Sequence, residues 1–255
     1  MDLVSLARLV LVANSEHRLV ALPADRPVVF VGDTHGDREA SERVLTRFTP
    51  PDHAVVFLGD TVDRGPDSRG NLELILTAAR DHPGTVHLLM GNHEAWALDP
   101  FTPADFWNAL LPEEEGALAE ALTQLPFAAH HPAGLLALHG ALPDLSSLRE
   151  LDGIALGSEA WRAITWGDWQ TAGGTPATGW RRPVFDRATF ERRAEGLGIR
   201  VLIRSHQPSA PRYLFGDRCM TLFTSAAYGD GRRRVAILHP GTKLHSARDL
   251  DIIEL

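Results

Sequence analysis

The chain has 255 residues, 44% of them hydrophobic and 23% charged, which is ample material for the core of one α/β domain spanning 1–255. Its net charge of −8 argues against a protein built to hold a nucleic-acid backbone, yet leaves room for a local cationic site that receives a phosphorylated substrate. A single cysteine (Cys219), no visible secretory signal and no run near the roughly 20 apolar residues of a membrane span lead to the expectation of a cytoplasmic monomer with no membrane partner.

From the N-terminus, Leu3, Leu6, Leu9, Val10 and Val12 recur at helical spacing, so residues 1–20 read as an amphipathic helix packed on the body. Three segments then share one pattern: PVVFVGD (27–33), HAVVFLGD (53–60) and TVHLLMGN (85–92) are aliphatic runs that end in Gly and a polar residue. Near-continuous apolar strands are buried on both faces, and the stretches between them (38–48 and 71–82) have helical periodicity. Strand alternating with helix means βαβ units, which brings the three Gly–polar pairs to one edge of one sheet. Residues 101–125 read as helical, and 95–133 as the source of substrate choice. GLLALHG (134–140) is another buried strand, 166–183 a long loop, 187–198 a short helix, and IRVLIRSH (199–206) a further strand. The remainder reads as antiparallel hairpins, with the basic run 232–234 at a solvated tip.

The polar residues at these strand ends are Asp33, His35, Asp60, Asp63, Arg64, Asn92, His93, Glu94, His139, Arg204 and His206. Taken alone, GDTHGD (32–37) is what an ordinary turn uses, with Asp37 placed to cap the next helix. Taken together, carboxylates, imidazoles and an amide oxygen suit manganese, iron or zinc better than a thiolate site would. The set is large enough for two ions. Such a pair, about 3.5–4 Å apart, clamps both oxygens of an in-line displacement, and a phosphate ester is the substrate that suits it best.

GDTHG (32–36), GDTVDRG (59–65) and GNHE (91–94) resemble the three signature blocks of the phosphoprotein phosphatase family of Ser/Thr metallophosphatases. The resemblance continues through LPFAA (125–129), LLALHGALPDL (135–145), LIRSH (202–206) and LFTSAAY (222–228), the last lacking the family's Pro-Asn, and covers about residues 27–240. It implies a layered β-sandwich flanked by helices, the calcineurin-like metallophosphoesterase fold, with its metal site at strand C-terminal ends. It also implies that Asp33 and His35 hold a first ion, that Asp60 bridges two, and that Asn92, His139 and His206 hold the second. Manganese is the first expectation, with iron or zinc as alternatives.

By the same resemblance His93 is the general acid, oriented by Asp63, while a hydroxide activated by the ions attacks in line. Arg64, Asn92, Tyr228 and Arg182 (preferred to Arg181) would bind substrate. An imidazolium beside a poor alkoxide leaving group contributes roughly 10²–10⁴-fold, and a neighbouring carboxylate favours its charged form. Glu94 is expected to support its turn and to hydrogen-bond Arg64 or a neighbour. Arg204 reads equally as a structural ion-pair partner, and the tryptophans as core or loop anchors. The implied activity is a serine/threonine protein phosphatase. The alternatives are a symmetrical dinucleoside tetraphosphate hydrolase, a phosphotyrosine or small-phosphoester phosphatase and, more distantly, a non-catalytic phosphate-binding module.

Overall fold

Alternation along the buried strands divides the interior into two cores, one between two sheets and one between the sheets and their helices. The computed structural model describes residues 1–12, 17–171, 182–227 and 231–255. Its first half contains α1 (Leu3–Val12), β1 (Leu19–Ala21), β2 (Val28–Val31), α2 (Arg38–Arg47), β3 (Ala54–Phe57), α3 (Ser68–Asp81) and β4 (Val86–Leu88). Next come α4 (Asp105–Asn108), α5 (Pro112–Leu122), β5 (Ala128–His131), β6 (Leu135–Leu138), α6 (Glu159–Trp166), β7 (Asp168–Trp169) and β8 (Val184–Phe185). The last part carries α7 (Arg187–Gly196), β9 (Val201–Arg204), β10 (Tyr213–Leu214), β11 (Cys219–Thr221), β12 (Arg234–Leu238) and β13 (Asp251–Glu254).

One sheet has the order β13-β12-β2-β3-β4 and the other β1-β5-β6-β9-β11-β10. Strands β2, β3 and β4 run parallel, with Val28 opposite Ala54 and Val55 opposite Val86, so the three Gly–polar pairs do share one edge. On β2, Val28 and Phe30 enter the core between the sheets with Ala137 of β6 and Val201 of β9. Val29 and Val31 join the other core, which takes in Val44 of α2 and Leu72 and Ile75 of α3. The period of two explains why these strands have no polar face: both sides meet apolar layers. The expected βαβ units and two-layered sheet are present, with His139 and His206 following β6 and β9 of the second sheet.

Three expectations need correction. The N-terminal helix stops at Val12, and Leu19–Ala21 is a strand paired in parallel with Ala128–His130. Arg18 anchors this entry by donating to the carbonyls of Thr123 (2.7 Å) and Leu125 (2.9 Å) at the end of α5. The helix itself does pack on the body, with Leu3, Leu6, Ala7 and Leu11 buried against α5 and α3. Residues 101–125 form two helices, because Pro112 has no N–H to donate and starts a new one. Within 166–183, α6 runs to Trp166, and Asp168–Trp169 pairs in parallel with Val184–Phe185; residues 172–181 lie outside those described. The C-terminal hairpins exist, but β11 also joins β9 and β12 joins β2, so they complete the two sheets. Among the described residues, no helix is long and apolar enough to cross a membrane.

Candidate active site

Where the strands end, the backbone takes up conformations that side chains rarely tolerate. His35, Asp60, Asp63, Arg64 and His206 have positive φ (43°, 52°, 67°, 68° and 68°), each at a cost of about 1–3 kcal/mol. Gly59 (φ 99°) lets the ends of β3 and β4 touch; a Cβ there would lie 2.5 Å from the Gly91 nitrogen. Glu94 ties the same two loops together. Its carboxylate accepts from the main-chain N–H groups of Asp60 (2.7 Å), Thr61 (2.7 Å) and Gly91 (3.0 Å), so it supports the turn through these neighbours.

Asp33, His35, Asp60, Asn92, His93, His139 and His206 converge and are all buried. His35 Nδ1 donates to the Val62 carbonyl (2.9 Å), and burial pushes this imidazole down to about 3, so the ring is neutral. Its Nε2 lone pair therefore faces carboxylate oxygens of Asp60 at 3.7 Å and Asp33 at 3.8 Å. Electron pairs confront one another there, and a bound cation would relieve the conflict. Asp33 Oδ1 has no hydrogen-bond partner, and burial together with Asp60 pushes the Asp33 carboxyl up to about 7.

The second group is tighter. His139 Nδ1 donates to the Leu58 carbonyl (3.0 Å), and its Nε2 lies 3.1 Å from His206 Nδ1, 3.2 Å from Asn92 Oδ1 and 3.3 Å from an Asp60 oxygen. Ligands about 2.1 Å from one octahedral ion are about 3 Å apart, so these spacings fit a shared ion. Burial works against charge on His139, but Asp60 and Asp33 outweigh it and push the ring up to about 9. A proton held there by carboxylates is what a divalent cation would replace. Donor atoms of His35, Asp60 and His93, and of Asp60, His139 and His206, each lie within 4.8 Å of one another.

His93 stands at the rim of this cluster. Its Nδ1 is 2.5 Å from Asp63, whose other oxygen accepts from the Phe106 N–H at 2.8 Å, and its Nε2 lies 3.4 Å from the Arg64 guanidinium. Burial lowers the basicity of His93, yet Asp60 and Asp63 prevail and the pKa is raised. A cleft of about 230 Å³ opens over the cluster, walled by Arg64, Phe101, Trp166, Arg182 and Pro208. Arg182 is locked by a two-pronged pair with Asp168, at 2.9 and 3.0 Å. Tyr228 and Arg181 lie outside the described residues.

Several assignments change. Arg204 is structural: fully buried, it donates to the carbonyls of Gly140 and Gly167 and to Gln207. Arg233 is no solvated tip, because it grips Asp37 at 2.8 and 2.9 Å. Trp161 and Trp169 are core anchors, whereas Trp166 also lines the cleft. Asp168 was missed, although Gly167–Asp168 repeats the Gly–polar ending of the other blocks. Asp37 caps α2 as expected.

Residues 26–210 match the family model for calcineurin-like phosphoesterases. The chain belongs to that family. This phosphoesterase is 27% identical over 223 residues to a probable serine/threonine-protein phosphatase of Encephalitozoon cuniculi, an alignment covering 79% of this chain and 47% of that protein. It thus spans about half the length of this curated relative. A solved protein serine/threonine phosphatase from Saccharomyces cerevisiae superposes with a TM-score of 0.81 at 24% identity, covering 99% of this chain and 87% of that one. A putative diadenosine tetraphosphatase gives 0.55 at 19%, covering 93% and 96%. At these identities the superpositions speak for the fold. The family resemblance read from the motifs, and the helix-flanked sandwich it implied, are borne out.

Proposed function

We propose that this phosphoesterase is a serine/threonine protein phosphatase that works with two divalent ions, manganese first among them. The observation that carries the reading is the convergence of buried carboxylate, imidazole and amide donors beneath a cleft that also holds two arginines and a carboxylate-paired histidine. Asp33, His35 and Asp60 would hold one ion, and Asp60, Asn92, His139 and His206 the other. His93 is within 3.9 Å of Asp60, but its Nδ1 is committed to Asp63, whose carboxylate helps to hold a proton on the ring, and this suits a proton carrier better than a ligand.

Bound divalent ions would supply Lewis-acid polarisation of the phosphoryl group and acidify a coordinated water. The chain's own residues do the remaining work. Arg64 and Arg182 neutralise the phosphoryl oxygens, with Asp168 holding Nε and Nη2 of Arg182 and so fixing its guanidinium. His93, protonated, donates from Nε2 to the departing serine or threonine oxygen while Nδ1–H stays on Asp63. A cytoplasmic setting and a monomeric state belong to the same proposal, the former supported by the lone, buried Cys219.

The test reloads metal-stripped protein with Mn²⁺ and offers phosphoseryl, phosphothreonyl and phosphotyrosyl peptides and a dinucleoside tetraphosphate. Mn²⁺-dependent phosphate release from the first two is expected. Faster turnover of phosphotyrosine or the nucleotide would reassign the substrate, and turnover of none would overturn the reading.

A further inference from the structure

Asp37 closes the GDTHGD stretch yet lies outside the ligand set. Its side chain is nine-tenths buried, and every lone-pair direction of its carboxylate is used. Oδ1 accepts from the Ala40 N–H (3.2 Å) at the start of α2 and from Arg233 Nη2 (2.9 Å). Oδ2 accepts from the Ala226 N–H (3.1 Å) and from Arg233 Nε (2.8 Å). The main-chain N–H of Asp37 closes the turn around His35 by donating to the Thr34 carbonyl (2.8 Å). One carboxylate therefore joins three segments: the turn at 34–37, residue 226, and residue 233 just before β12.

The segment so gripped touches Asp33 directly. Phe223 bridges to Asp33, and the Thr224 N–H donates to the Asp33 carbonyl (3.1 Å). The hydroxyl of Thr224 accepts from the Gly32 N–H (2.9 Å) and donates to the Arg234 carbonyl (2.7 Å). Helix capping accounts for one of the contacts of Asp37, and asparagine would cap as well. The fork-to-fork grip on Arg233 is separate from that cap, although Arg233 Nη2 also donates to Glu39 in the first turn of α2 (2.9 Å). It ties the 223–226 segment, and with it the main chain of Asp33, to the turn that carries His35.

We infer that the Asp37–Arg233 pair is a positioning device for the subsite of Asp33 and His35: it fixes the angle between these two ligands. This rests on their assignment as ion ligands under the proposed function. Residues that orient metal ligands alter affinity by about 10–100-fold when changed. Lysine would keep the charge of Arg233 without its planar fork, and asparagine would keep the cap of Asp37 without its charge.

Mn²⁺ is titrated calorimetrically into metal-stripped wild-type protein, Arg233→Lys and Asp37→Asn, alongside thermal midpoints and kcat and KM on a phosphopeptide. Two equivalents are expected in the wild type. In either variant one equivalent should weaken by about 10-fold and the other stay within about twofold, with kcat returning near the wild-type value at saturating Mn²⁺. Lower midpoints with both affinities unchanged would reduce the pair to a structural fastening and overturn the inference. Wild-type protein that takes up no Mn²⁺ overturns the ion reading, and this inference with it. Placing one variant at each end of the pair keeps the test decisive should one fail to fold.

Discussion

What surrounds His93 makes it a different reagent from a solvated imidazole. Burial would strip its proton, but Asp60 and Asp63 hold it on. Cations on Asp60 would cancel that residue's pull, while the 2.5 Å contact to Asp63 would persist. His93→Asn should therefore lower kcat by roughly 10²–10⁴-fold while calorimetry still finds Mn²⁺ bound. Asp63→Asn removes the group that stabilises the imidazolium, so the fall in kcat on the alkaline side should begin at lower pH than in the wild type; an unmoved limb would free Asp63 of this role. That these residues would meet was legible because they sit in motifs at the ends of neighbouring strands. The ring tautomers were not, since they are set by the Val62 and Leu58 carbonyls, which every sequence possesses.

The elements carry the site because β2, β3 and β4 end at the same edge and the chain turns sharply as it leaves them. The apolar runs announced those strands, with Val28 and Phe30 alternating with Val29 and Val31. Strand β1 was hidden, because three residues pairing with Ala128–His130 leave no periodicity of their own. The left-handed backbone at Asp60 and His206 was hidden too; neither residue type demands it. Gly59 can be tested directly. Gly59→Ala must place a methyl group against Gly91 at φ 99°, so a loss of about 1–3 kcal/mol is expected in denaturant melts, with weakened Mn²⁺ binding because Asp60 follows it. Unchanged stability would mean that the two loops separate at little cost.

At the scale of the molecule, the titrating groups of the site couple its stability to pH. Asp33 (about 7), His139 (about 9) and His93 all have folded pKa values above their ordinary ones. Each binds more protons folded than unfolded, so its stabilising contribution is complete below the unfolded pKa and is lost as pH rises through the folded one. His35 and His206 are lowered and act oppositely, but their contribution is complete above about pH 6.5. Metal-free protein should thus melt at a lower temperature at pH 9 than at pH 7. Mn²⁺ should reverse the trend, since ion binding displaces those protons and strengthens with pH, and at 100-fold excess over Kd it adds about 2.7 kcal/mol. Scanning calorimetry at both pH values, with and without Mn²⁺, checks both arms.

Asp33, Asp60 and Asn92 follow strands of one sheet, His139 and His206 strands of the other. The ion that Asp60, Asn92, His139 and His206 would hold is a stitch through the sandwich, and it could be tied only once both layers exist. A chain emerging from the ribosome as far as residue 92 would carry Asp60 and Asn92 but no histidine from across the seam. Loading of that ion would have to wait until residue 206 reached residue 60, making the second equivalent of metal a certificate of finished assembly.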